Sequence, residues 1–213
     1  MSSITIVDYG HGNLKSVFRA LENIGQKSNI TSDSRAIVKS DKLILPGVGA
    51  FGSGITSLEK MCLLDPLLEF LKKGNPILGI CLGMQLLFTE SKEHGDYQGI
   101  NIIPGTVDLI SNKKKNSEIR KVPHVGWGKL KKTSNSSEWK NTCLENIKEN
   151  DYVYFTHSYM PIIENYKYIL ALTDYEECLI PAAVKKDNVT GLQFHPEKSG
   201  KTGLKILEDF SKL

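Results

Sequence analysis

Hydrophobic positions along this chain fall into short apolar runs separated by amphipathic stretches, a pattern that predicts strands and helices in alternation. Ile4-Thr5-Ile6-Val7 is a β-prone run ending at Asp8-Tyr9-Gly10. Leu14, Val17, Phe18, Leu21 and Ile24 then line one helical face, stopped by Gly25. Strand, glycine turn and helix make the first half of a βαβ unit. Further strands are expected around Asn29-Ile30-Thr31 and at Lys42-Leu43-Ile44-Leu45, and a single helix from Ile55 to Lys73. Pro76-Ile77-Leu78-Gly79-Ile80 follows a Gly-Asn-Pro break and reads as a buried strand. Past Cys81 the apolar run through Leu86, Leu87 and Phe88 predicts a helix.

From about Gly99 the texture changes. Residues 102–110, 122–127, 151–155, 168–173, 182–184 and 189–194 are β-prone runs at antiparallel-like spacing, joined by polar loops that include Lys131 to Asn141. Thr202 to Leu213 is an amphipathic helix through Leu204, Ile206, Leu207 and Phe210. No repeat and no Pro/Ser-rich linker divides the chain. The expectation is one α/β domain over residues 1–213, an open mixed sheet, mostly parallel and flanked by helices, with its site at the strands' C-terminal ends.

Composition narrows the function classes. At 213 residues the chain can bury a sizeable core. A net charge of +3 is too small to point to nucleic acid, and the one dense basic run, Lys113-Lys114-Lys115, reads as a solvated loop. No apolar stretch approaches the roughly 20 residues that span a membrane, and the N-terminus lacks signal-peptide shape. Cys62, Cys81, Cys143 and Cys178 are scattered without a Cys-x-x-Cys pair, so no zinc site, disulfide framework or metal is expected, and the compartment is expected to be cytoplasmic.

Candidate chemistry gathers at three places. Cys81, flanked by Gly79 and Gly83, stands where a strand turns into a helix, the elbow that presents a nucleophile. Pro46-Gly47-Val48-Gly49-Ala50-Phe51-Gly52 ends a strand without the Gly-Lys-Ser/Thr of a phosphate loop, so its backbone N–H groups suit an oxyanion better than a phosphate. Gly10-x-Gly12 lacks a third glycine and reads as turn residues. His195-Pro196-Glu197 follows the last strand, and a His two residues from a Glu can form a base with its orienting carboxylate. Cys–His–Glu is triad logic with a thiol nucleophile.

Gly-Ile-Cys-Leu-Gly-Met-Gln (residues 79–85) and Gln-Phe-His-Pro-Glu-Lys-Ser (193–199) resemble the class I (triad) glutamine amidotransferases, whose fold is flavodoxin-like. Residues 8–13, 46–51, 121–127 and 154–159 are similar to the glutaminase subunits of imidazole glycerol phosphate synthases, and the likeness spans essentially the whole chain. The resemblance implies Cys81 as nucleophile, His195 as general base and acid, and Glu197 as its orienter. It implies an oxyanion loop at Gly47, Val48 and Gly49, with the Val48 and Leu82 N–H groups as donors. Gln85, Glu93, His157, Ser158 and Tyr159 match positions holding the α-amino and α-carboxylate groups of L-glutamine. Asn13, Trp127 and Lys198 match positions facing a (β/α)8 cyclase in a heterodimer. That cyclase joins the ammonia to a phosphoribulosyl-formimino carboxamide ribotide. No cofactor is implied. Two positions depart from the family pattern: Gly128 replaces a usual Asn, and Thr156 a usual Val.

Three other readings compete. A paralogous amidotransferase would supply ammonia to another synthase, such as one forming an amidino sugar for surface glycans. A catalytically idle regulatory subunit has no need of an intact Cys81, His195 and Glu197. A γ-glutamyl peptidase would share the elbow but not need Trp127 or Lys198 at a partner face.

Overall fold

The computed structural model describes residues 3–114, 118–133 and 139–213. Lys115 of the basic run and the centre of the Lys131–Asn141 loop lie outside the described residues. In chain order the first half contains β1 (Ile4–Val7), α1 (Leu14–Asn23), β2 (Ser28–Thr31), α2 (Ser34–Lys39), β3 (Lys42–Gly47), α3 (Phe51–Lys60), α4 (Leu64–Lys72), β4 (Ile77–Cys81) and α5 (Leu82–Gln85). The second half adds β5 (Phe88–Ser91), β6 (Tyr97–Gln98), β7 (Ile103–Leu109), β8 (His124–Lys129), β9 (Tyr152–His157), β10 (Tyr159–Ile162), β11 (Ile169–Tyr175), β12 (Cys178–Lys186), β13 (Val189–Leu192) and α6 (Gly200–Lys212).

The main sheet has seven strands in the order β11-β12-β13-β4-β3-β1-β2. β2, β1, β3, β4 and β13 run parallel, while β12 and β11 complete one edge antiparallel. This is the open mixed sheet expected. Its central strands are buried on both faces, as parallel strands between helical layers must be. Alternation sorts their side chains: Ile44 joins the core under α1 and α6, whereas Leu43 and Leu45 join the core under α3 and α4. α1 contributes Val17 and Leu21 to the first layer and α6 contributes Ile206, Leu207 and Phe210. Each such fully buried side chain contributes about 1.5–3 kcal/mol. A four-stranded sheet, β10-β7-β5-β6, and a two-stranded ribbon, β8-β9, lie apart from this sheet in pairing. Among the described residues no helix is long and apolar enough to cross a membrane.

Three expectations need correction. The helix predicted from Ile55 to Lys73 is two helices, α3 and α4. Cys62 adopts φ 54°, and the Cys62 and Leu63 N–H groups close back on the Glu59 and Leu58 carbonyls, both at 2.9 Å. Pro66, with no N–H to donate, prevents a helix from running through this point. The helix expected through Phe88 is only the four residues of α5, because Phe88 begins β5, paired with β7. α2 was not expected: it is six residues long, capped by the Asp33 side chain accepting from the Ala36 N–H at 2.7 Å. Gly128, by contrast, is explained by packing. A Cβ there would stand 2.7 Å from Thr173 Oγ1 and 2.8 Å from the Phe155 ring, so Asn does not fit this backbone.

Gly83 is where α5 crosses β3, and a Cβ at this position would overlap the Leu45 carbonyl oxygen. Gly83→Ala is therefore expected to lower unfolding free energy by about 3 kcal/mol or more. Gly74, at φ +79° with nothing within 4 Å of a Cβ, should lose only about 1–2 kcal/mol on the same change. Urea titrations of both variants check this, and equal losses would contradict the packing at Gly83.

Candidate active site

β3, β4 and β13 lie side by side and parallel, and each ends in one part of the candidate chemistry. Gly47 at the end of β3 pairs with Cys81 at the end of β4. Beyond β13 the chain passes through Gln193 and Phe194 to His195. Sheet order alone thus sets the Pro46–Gly49 loop, the thiol and the imidazole in one row.

Cys81 adopts φ 52°, ψ −110° and is followed at once by α5. Residues with a Cβ avoid that region, and where one is held there the surrounding structure over-determines it. Such a turn between strand and helix is the nucleophile elbow. His195, only 2% exposed, donates from Nδ1 to Glu197 Oε1 at 2.8 Å. That bond leaves the Nε2 lone pair of the neutral ring free to take a proton. Burial pushes the His195 pKa down, but interaction with the Cys81 sulfur and the Glu197 carboxylate outweighs it and lifts the value to about 10. Nε2 itself forms no hydrogen bond. The Cys81 sulfur nevertheless stands close enough to raise the imidazole pKa, an arrangement suited to taking the thiol proton.

These groups open on a cleft of about 470 Å³. Its walls include Val48 and Gly49, then Cys81, Leu82 and Gln85, then Glu93, then His157, Ser158 and Tyr159, and His195. Gly47 and Glu197 stand behind the wall. Asn13 lies half-buried on the flank, while Trp127 is 55% exposed and Lys198 is exposed. Trp127 rests edge-on against the Tyr154 ring with centroids 5.8 Å apart. Glu93 has a second duty: its Oε2 accepts the Phe51 N–H at 2.6 Å, at the N-terminus of α3.

A family model for class-I glutamine amidotransferases matches residues 5–213. Two relatives are named imidazole glycerol phosphate synthase subunit HisH. The one from Legionella pneumophila (strain Paris), with the suffix 1, is 43% identical over 213 residues, 100% of both chains. The one from Caldanaerobacter subterraneus subsp. tengcongensis is 46% identical over 210 residues, covering 99% of this chain and 98% of its own. The chain belongs to the class-I glutamine amidotransferase family. A solved structure of PurLQS from Thermotoga maritima shares the fold, with a TM-score of 0.74 at 19% identity over 100% of this chain and 99% of that one.

Within this amidotransferase, sequence reasoning missed cleft residues that carry no local signal. His94 and Leu109 line the cleft from the loop after β5 and the end of β7. Gln193 is fully buried with its Nε2 3.9 Å from Cys81 Sγ. The position before Phe194 looked like an ordinary strand residue.

His157, placed by resemblance among the substrate contacts, lines the cleft but has both ring nitrogens engaged. The Tyr159 carbonyl can only accept, so His157 Nδ1 donates to it at 2.8 Å. His157 Nε2 then accepts from His124 Nδ1 at 3.2 Å. His124 is stacked on Tyr175 and Phe155, with centroids 4.0 Å and 4.7 Å away. Burial lowers the His124 pKa to about 4. Burial also lowers that of His157, to about 3, against the opposing hydrogen bond to Tyr159 and aided by the nearby His124 and His195.

The signs of these shifts give a pH prediction. His124 and His157 have folded pKa values below the unfolded value, so the unfolded chain binds more protons and stability falls as pH drops from about 6.5 towards 4. His195 runs the other way: its contribution is complete below about 6.5 and lost as pH rises towards 10. Between pH 7 and pH 5 the unfolding free energy should fall by roughly 3 kcal/mol. His124→Phe should start less stable, since it leaves His157 Nε2 unpaired, yet lose distinctly less over that interval. Chemical denaturation at the two pH values measures both, and an unchanged slope in the variant would contradict the assignment.

Proposed function

We propose that this chain is the glutaminase subunit of an imidazole glycerol phosphate synthase in histidine biosynthesis, all of residues 1–213 forming one amidotransferase domain. In this reading it acts in the cytoplasm, as a heterodimer with a (β/α)8 cyclase subunit that receives its ammonia. The observation that carries it is the strained Cys81 elbow beside the buried His195–Glu197 pair. The name shared by relatives of 43% and 46% identity favours this acceptor over a paralogous synthase.

The chemistry follows from the geometry. Cys81 Sγ, having passed its proton to His195, attacks the side-chain amide carbon of glutamine, and the carbonyl oxygen takes the negative charge. Val48 and Leu82 N–H groups are its proposed donors, and removing one such donor typically costs about 10²–10³ in rate. His195 returns the proton to the amide nitrogen as the C–N bond breaks, which releases ammonia and leaves a γ-glutamyl thioester. Water, deprotonated by His195, adds to the thioester carbon; the C–S bond breaks and glutamate leaves. The cycle closes with no metal or cofactor among its reactants.

Gln85, Glu93 and the His157-Ser158-Tyr159 segment are the proposed holders of the α-amino and α-carboxylate groups, with Glu93 suited to the cation. Since both His157 ring nitrogens are engaged, that segment is proposed to act through Ser158 and Tyr159. Asn13, Trp127 and Lys198 form the proposed partner face. An exposed Trp beside Tyr154 and a cation next to Glu197 suit such a contact.

Cys81→Ala, paired with a cyclase subunit, should lose glutamine-dependent product formation by at least about 10³-fold and keep the ammonia-dependent reaction. Loss of both activities, or survival of the glutamine reaction, would refute the reading.

A further inference from the structure

One amide behind the cleft has no task in the reaction as derived so far. Gln193 lies just past β13, two residues before His195, and is fully buried. Its backbone N–H bonds to the Ala182 carbonyl at 2.9 Å, which fixes its Cα against β12. Its side-chain orientation is set from the outside inward. The Tyr159 carbonyl can only accept, so the Gln85 group 3.0 Å from it is the amide nitrogen. The same nitrogen lies 3.1 Å from the Gln193 side chain and therefore faces its oxygen. Gln193 Nε2 is left directed at Cys81 Sγ, 3.9 Å away.

We propose that Gln193 is a further catalytic residue of this site, whose side-chain N–H donates to the Cys81 sulfur, aimed by the chain from the Tyr159 carbonyl through Gln85. The inference rests on the reading of Cys81 as nucleophile. A neutral amide is a poor partner for a thiol but a good one for a thiolate, because a hydrogen bond to an ionised acceptor is about twice as strong as a neutral one. The donor therefore favours the attacking form. It acts again when the thioester is hydrolysed and the sulfur recovers the electron pair of the C–S bond. The same network commits the Gln85 nitrogen to Tyr159 and Gln193, so Gln85 presents its oxygen to a ligand, a fit for an ammonium group.

The other titratable groups around the sulfur are His195 and Glu197 beyond β13, Tyr9 beyond β1, Glu93 and His94 beyond β5, and His157 and Tyr159 on β9 and β10. None of these residues is itself substituted in the Gln193 variants, so a displaced pH profile reports the change at residue 193.

The test is the pH dependence of Cys81 alkylation by iodoacetamide in the full chain, read by peptide mass spectrometry, for the parent, Gln193→Met and Gln193→Glu. The Met variant keeps the volume without the donor, and the Glu variant keeps the oxygen that accepts from Gln85. Thermal melts at pH 7 confirm that each variant is folded. The half-rise of the alkylation profile should move up by about one pH unit in Gln193→Met and further in Gln193→Glu. Profiles that superimpose on the parent in both variants, with Cys81 still alkylated, would overturn the role of Gln193 and leave the nucleophile standing. A parent in which Cys81 is not alkylated at any pH would overturn both.

Discussion

The structure depends on holding Cys81 where a cysteine does not sit by preference. A residue in such a conformation costs of order 1–3 kcal/mol, and the fold meets that cost on every side of the turn. β4 lies at the middle of the main sheet, gripped by β3 and β13. Gly83 lets the backbone of α5 press against the end of β3, in a space that a single methyl group would fill. Leu82, Met84 and Leu86 anchor the turn in the core under α3 and α4. The same three strands that fix the elbow also fix the proposed oxyanion loop and His195, so one constraint positions the candidate chemistry.

The turn bearing His195 and Glu197 is braced to the β8–β9 ribbon. The His195 N–H bonds to the Tyr154 carbonyl at 2.9 Å, and the Tyr154 N–H bonds back to Ser199 Oγ at 2.9 Å. Ser199 Oγ donates in turn to the His195 carbonyl at 2.6 Å. Tyr154 is also the residue on which exposed Trp127 rests. The proposed partner face and the turn bearing His195 therefore meet at Tyr154, the first at its ring and the second at its backbone.

The parallel part of the fold was legible in the sequence because buried strands and amphipathic helices carry opposite periodicities there. Cys81, His195 and Glu197 were legible for a different reason: glycines and a proline force their turns. What stayed hidden lacked a local signature. Phe88 has the spacing of a helix, and only its pairing with β7 makes it a strand. Pro66 did mark the break between α3 and α4, but the apolar residues on either side concealed it. Gln193 shows its chemistry only once Gln85 and Tyr159, distant in sequence, fix which end of its amide meets the sulfur.

The central claim, that this elbow cysteine is the nucleophile for a glutamine-like substrate, is tested most directly with a glutamine analogue carrying an electrophilic carbon in its side chain. Peptide mass spectrometry after incubation should find one equivalent attached at Cys81, with glutamine protecting it. Attachment at Cys62, Cys143 or Cys178 instead, or labelling of Cys81 that glutamine does not slow, would contradict the account.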